Sequence, residues 1–189
     1  MAQFTDFKKV HGTPAACRPV QSSSLASYRE KLPPSLIAEW EDSGWCAYGD
    51  GLLWLVDPEF LKAPVREWLG PSCKAVPFAR SAFGHVFLWD DEGAQMLDPQ
   101  HATLAKIVNR IDIVFNYVLC RKEYLRDVLD QKLFVKARKK LGDIGFDECY
   151  GFEPAIALGG PGTLDTLRRV KLREHLSILA QLADKVRPV

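Results

Sequence analysis

Gly44-Trp-Cys-Ala-Tyr-Gly-Asp-Gly-Leu-Leu-Trp-Leu-Val-Asp-Pro58 is the stretch that decides how this chain folds. Trp45 to Tyr48 and Leu52 to Val56 are aromatic and aliphatic runs. Gly49-Asp50-Gly51 between them supplies the backbone freedom of a tight turn, so the stretch predicts a β-hairpin. Asp57-Pro58 then opens a helix. Asp57 is placed to cap it, and Pro58 falls in the first turn, where its missing N–H is not needed. Phe60, Leu61, Val65, Trp68 and Leu69 line one face of that helix.

Upstream, Phe4, Phe7 and Val10 recur at three-residue spacing and predict a short opening helix, while Pro14 to Ser24 reads as a loop. Leu25, Tyr28 and Leu32 fit a second short helix ending before Pro33-Pro34. The second proline opens a third helix, with Leu36, Ile37 and Trp40 as its apolar face and Gly44 as its stop. Downstream, residues 75–79, 81–89 and 94–97 are strand candidates. Asp90-Asp91-Glu92-Gly93 forms the turn between the last two, and Thr103 to Val108 gives one more strand. From residue 111 the period becomes helical: Ile111, Phe115, Val118 and Leu119; then Tyr124, Leu125, Val128 and Leu129; then Leu133, Phe134, Ala137 and Leu141, stopped by Gly142. Leu172, Leu176, Leu179 and Leu182 mark a last helix. The expected fold is α+β, with a helix-flanked antiparallel sheet in residues 1–108 and a mainly helical part, residues 109–189, packed against it.

The chain has 189 residues, of which 47% are hydrophobic and 26% charged, so it can bury a real core. The net charge of +1 argues against a general nucleic-acid binder, which needs a concentrated basic surface. The sum hides an asymmetry: residues 1–100 carry 9 Lys/Arg and 13 Asp/Glu, and residues 101–189 carry 16 and 11. All five Trp lie in the acidic half. The five Cys stand singly, with no Cys-x-x-Cys and no Cys/His cluster, which predicts reduced thiols and no zinc site. The N-terminal Met-Ala-Gln-Phe-Thr-Asp-Phe run has no apolar core of a signal peptide, and no apolar run has membrane-spanning length. A cytoplasmic location is expected.

Chemistry-bearing groupings are sparse. Gly159-Gly160-Pro161-Gly162 lacks the Lys-Ser/Thr of a phosphate loop and reads as a turn. Cys149 and His175 are a conceivable thiol–base pair, but no nucleophile signature surrounds Cys149 and both fall in apolar surroundings. His85, His101 and Asp98 lack the spacing of a metal motif. Arg168, Arg169, Lys171 and Arg173, and Lys136 with Arg138 to Lys140, read as solvated helix faces. No catalytic residue, cofactor or metal is expected.

Two segments carry a family resemblance. Leu32-Pro-Pro-Ser-Leu-Ile-Ala-Glu-Trp40, with the hairpin at 44–58, resembles the GAD-like domain. Asp147-Glu-Cys-Tyr-Gly-Phe-Glu-Pro-Ala-Ile-Ala-Leu-Gly-Gly160, followed by Val170-Lys-Leu-Arg-Glu-His-Leu-Ser-Ile-Leu-Ala-Gln-Leu182, resembles the C-terminal domain of immunity proteins paired with type VI secretion DNase effectors. The resemblance implies a non-enzymatic antidote that binds a cognate nuclease, with Gly151, Pro154, Gly159 and Gly160 shaping turns and His175 packing the last helix. The alternative is a scaffold or regulatory interaction module. A nuclease presents a basic cleft, so an acidic, aromatic-rich surface is its physical complement. Glu41, Asp42, Tyr48, Asp90, Asp91 and Glu92 are the expected contact residues.

Overall fold

The computed structural model describes residues 3–183 and 185–189. Helix α1 (Thr5–His11) leads to strand β1 (Ala15–Arg18), helix α2 (Ser22–Tyr28) and helix α3 (Pro34–Ser43). Then come β2 (Trp45–Tyr48), β3 (Leu53–Leu55), α4 (Pro58–Leu69), β4 (Val76–Ser81), β5 (Val86–Asp90), β6 (Gly93–Asp98) and β7 (Thr103–Val108). The remainder is α5 (Ile111–Asn116), α6 (Lys122–Asp127), α7 (Gln131–Leu141), β8 (Glu148–Phe152), β9 (Leu167–Lys171), α8 (Leu172–Leu182) and β10 (Arg187–Pro188).

Strands β1 to β7 form one antiparallel sheet in sequence order, and β10 returns to pair in parallel with β7. Strands β8 and β9 make a separate antiparallel pair. The α+β fold stands, with the sheet in the first part and helices dominating the second. The hairpin at 45–55 and the helix after it form as the sequence demands, and the Asp57 carboxylate accepts the Glu59 N–H at the start of α4.

Three local readings need correction. The stretch 14–24 is not all loop: residues 15–18 add an edge strand held to β2, and Cys17 and Cys46 are joined there as a disulfide, not left as thiols. The run 81–89 is not one strand, because the chain turns at 82–85 and Arg80 with Ser81 belong to β4. Arg168, Arg169 and Lys171 lie on strand β9, not on a helix. It pairs with β8 along its whole length, with Leu167 buried and Arg168 and Arg169 exposed.

The core is continuous across residue 108. Phe4 stacks on Phe115 with ring centroids 4.1 Å apart, and Phe7 meets both Tyr48 and Phe115 edge-on. The modules 1–108 and 109–189 are therefore proposed as units of sequence; in packing they share one interior. Helix α1 is clasped from three sides. Asn116 Oδ1 accepts the N–H groups of Asp6 and Phe7, which no residue next to the helix start satisfies. His11 Nε2 meets the Leu119 carbonyl at 2.8 Å. Lys8 Nζ reaches Glu39 at 2.7 Å, and the buried Glu39 carboxylate also accepts the Tyr48 hydroxyl at 2.6 Å.

The second part covers one end of the sheet, and Arg80 fastens it. This side chain is wholly buried. Its guanidinium lies over the Trp54 ring and donates to the carbonyls of Ser81, Gly145 and Phe146. Burial draws its pKa down to about 9, so it stays charged at neutral pH. Tyr150 N–H donates to the Ala82 carbonyl and Trp68 Nε1 to the Leu176 carbonyl, adding two more bonds between the parts.

Arg80→Leu leaves the Gly145 and Phe146 carbonyls without their donor and is expected to cost about 3–5 kcal/mol, read by urea unfolding at pH 7. Arg80→Lys is expected to recover little, because an ammonium cannot fork between carbonyls and lie flat on Trp54. Asn116→Ala removes the cap of α1 and is expected to cost about 1 kcal/mol in the same assay, with the midpoint shifted and the slope unchanged.

Candidate protein-docking surface

In an antiparallel sheet, alternate turns fall at opposite ends. The start of β2 and the β5–β6 turn lie at the same end, separated by three inter-strand spacings, roughly 14 Å. The last turn of α3 feeds β2. The structure therefore gathers Glu41 and Asp42 with Asp90, Asp91 and Glu92 at one end of the sheet, opposite the β4–β5 and β6–β7 turns.

These carboxylates differ in availability. Glu41 is paired with Arg29 and Glu92 with Lys106, and Lys106 holds the Glu92 carboxyl below its ordinary range. Asp90 is half-buried and shapes its turn, accepting the Glu92 N–H and the Gln95 carboxamide. Asp42 and Asp91 are exposed and have no cationic partner among the described residues. Tyr48 does not belong to this surface. It is buried, its hydroxyl is spent on Glu39, and it packs against Phe7. Nor do the tryptophans supply exposed anchors: Trp40, Trp45, Trp54 and Trp68 are all buried. Their clustering in the acidic half reflects core packing.

Four of the eight cations in the basic runs of the second part are matched on the spot. Arg138 pairs with Asp50 and Asp143, Lys140 with Asp165, Arg169 with Glu148, and Lys171 with Asp147. Such a mosaic is no phosphate track.

Other groupings resolve into structure. Cys149 is fully buried, and its thiol is pushed up to about 12, so it forms no thiolate nucleophile at neutral pH. His175 does not serve it. The imidazole lies across Gly151, where a Cβ would come within 2.7 Å of the ring, and its Nε2 faces the Gln100 carboxamide at 3.2 Å. Gly151 is thus a mid-strand residue kept bare for His175, not a turn residue. Gly160 backs onto the Pro154 carbonyl, which a Cβ would meet at 2.1 Å, so the glycines at 159–160 close a loop and hold no open cradle. His85, Asp98 and His101 do meet: His101 Nδ1 is 2.7 Å from Asp98 Oδ2. Among the described residues, no three His, Cys, Asp or Glu side chains are arranged to hold a metal ion. No helix of the described residues is long and apolar enough to cross a membrane.

Local patterning gave no sign of Arg80, Ser81 or Asn116 as key residues. The only available signal was a charged residue inside an otherwise apolar β run, Val76 to Ala82, which is the pattern of a buried and compensated charge.

Burial lowers the imidazole pKa at His11, His85 and His175, at the last to about 4. The unfolded chain binds these protons near pH 6.5, the folded chain only at lower pH. Stability is therefore flat above about pH 7 and falls as pH drops toward 4. A loss of up to about 1.4 kcal/mol per pH unit per histidine is expected between pH 6 and 5, read from urea midpoints. His175→Gln is expected to flatten the slope.

Comparison with known proteins was made on sequence and on fold. The sequence model of the GAD-like domain matches residues 2–99, just over half the chain. That of the T6SS immunity protein Tdi1, C-terminal, matches residues 114–183. Among curated proteins no sequence matches. Among solved structures, Atu4351 from Agrobacterium tumefaciens superposes with a TM-score of 0.77 at 19% identity, over 95% of this chain and 89% of that one, a likeness of fold. The chain belongs to the GAD-like domain family and joins that domain to the C-terminal domain of the type VI secretion immunity protein Tdi1.

Proposed function

We propose that this protein is a type VI secretion immunity protein that binds a cognate DNase toxin in the cytoplasm and blocks it, without catalysis of its own. The succession of a GAD-like domain and a Tdi1 C-terminal domain in one chain carries this reading. The surface is compatible with it. Asp42 and Asp91 stand unpaired at one end of the sheet, with Glu41, Asp90 and Glu92 beside them. A nuclease binds DNA through a basic cleft, and an acidic rim matches that field and speeds capture.

The partner surface on this reading comprises Glu41, Asp42, Asp90, Asp91 and Glu92. The free carboxylates do most of the steering, because Arg29 and Lys106 already screen Glu41 and Glu92. Asp42, Asp91 and Glu92 lie exposed, whereas Asp90 also holds its turn, so the first three can be changed with least effect on the fold.

The test is co-expression with a candidate type VI DNase effector, followed by co-purification and a DNA-cleavage assay. Stoichiometric protection of DNA is expected; a nuclease that neither co-purifies nor is inhibited rejects the reading. The combined variant Asp42→Ala, Asp91→Ala, Glu92→Ala is expected to slow association about tenfold at low salt and to flatten its salt dependence, with a smaller effect on dissociation. An association rate and salt dependence equal to the parent's would remove this end of the sheet from the interface.

A further inference from the structure

Strand β1 reaches the sheet with little to hold it there. All four of its residues, Ala15 to Arg18, are exposed. Between His11 and Leu25 no residue is fully buried, so the segment brings no buried side chain to the core. Its register with β2 is set by two pairs, Ala15 with Ala47 and Arg18 with Trp45, and three steps on β1 span two on β2. That mismatch is a bulge, and Ala16 inside it holds φ at +49°, a left-handed conformation unfavourable for alanine. Arg18 adds one contact, its guanidinium 4.1 Å from the centre of the Phe146 ring. Fixing four backbone residues costs conformational entropy that these few contacts do little to offset.

The Cys17–Cys46 disulfide crosses the same bulge and ties β1 to β2 covalently. Its two ends differ. Cys17 is exposed and Cys46 is fully buried, so a thiolate from solution reaches the Cys17 sulfur and not its partner. The Ser43 carbonyl lies 2.7 Å from Cys46 Sγ, which gives the buried sulfur an acceptor for its proton once it is a thiol. The chain is anchored on either side of the strand, at His11 through the Leu119 carbonyl and at Leu25 and Tyr28 in the core. Opening the bond therefore leaves the elements on both sides in place.

We propose that Cys17 and Cys46 form a redox switch that binds β1 to the sheet when oxidised and frees it when reduced. The reductant is a dithiol. One of its thiolates attacks Cys17 Sγ, the S–S bond breaks, and Cys46 leaves as a thiolate that takes up a proton. The second thiolate of the reductant then attacks the reductant's own sulfur in the mixed disulfide, and Cys17 leaves and is protonated. Two electrons and two protons pass to the protein, and the reductant becomes its disulfide. With β1 released, β2 becomes the edge of the sheet and its outer backbone groups open to solvent. The switch does not rest on the immunity reading, because it is read on this chain alone.

Poising the full chain at graded ratios of reduced to oxidised dithiothreitol tests this. Acid quenching and alkylation after unfolding, read by peptide mass spectrometry, report which thiols are free. Amide hydrogen exchange on the same samples reports which backbone is protected. Cys17 and Cys46 are expected to become free together in one reversible step, with Cys73, Cys120 and Cys149 free throughout. Exchange at residues 15–18 is expected to speed at least tenfold across that step, and exchange in β4 to β6 to stay unchanged. Cys17→Ser, at an exposed position, is expected to exchange like the reduced parent at every ratio. The proposal is overturned if the two cysteines never join or become free in separate steps, or if exchange at 15–18 is the same in both states. Loss of protection in β4 to β6 on reduction would also overturn it, since the bond would then be a staple of the whole sheet, as would a Cys17→Ser chain that keeps the protection of the oxidised parent.

Discussion

A buried guanidinium must find hydrogen-bond acceptors or the fold around it does not hold, and Arg80 finds them in main chain. Its two donors to Gly145 and Phe146 come from a strand of the first part and end on the loop that leads into β8. Trp54, on the neighbouring strand, supplies the flat surface beneath it. From this point the second part is positioned: β8 follows directly, the Tyr150 N–H docks on Ala82, and α8 lies against α4 through Trp68 and Leu176.

The start of the chain obeys a similar rule. Helix α1 is short, and short helices are marginal in water without outside support. It is secured by remote groups: Asn116 at its first turn, Leu119 on His11, and Glu39 on Lys8. Glu39 is buried, and its two carboxylate oxygens are met by the Lys8 ammonium and the Tyr48 hydroxyl. The Asn116 and Leu119 bonds tie the beginning of the chain to residues more than a hundred positions later, which is why no sharp domain boundary appears in the packing.

Much of the fold was legible in the sequence, because its signals are local. Gly49 to Gly51, Asp57-Pro58, Pro34 and Gly142 act on the backbone within a few residues, and each element they mark is present. What was not legible depends on distant partners. Residues 15–18 form a strand only because β2 lies beside them, and their four residues carry no strong strand pattern. Strand β9 was hidden by its basic residues, which look like a solvated helix until Glu148 and Asp147 are found opposite. The candidate surface divides in the same way. Exposed carboxylates in turns could be read from charge and turn chemistry, whereas Tyr48 could not be told from a surface anchor, since only Glu39 and Phe7 show which way it points.

The way Arg80 is satisfied has a consequence for sequence drift. Its acceptors across the joint are carbonyl oxygens, which every residue possesses. The bonds to positions 145 and 146 are blind to which side chain stands there, although the Phe146 ring also packs edge-on against the Trp54 that supports Arg80. A joint recognised in this way lets side chains on either part change without rewriting the fastening between them. The interior latch and the exterior face can therefore vary on separate schedules.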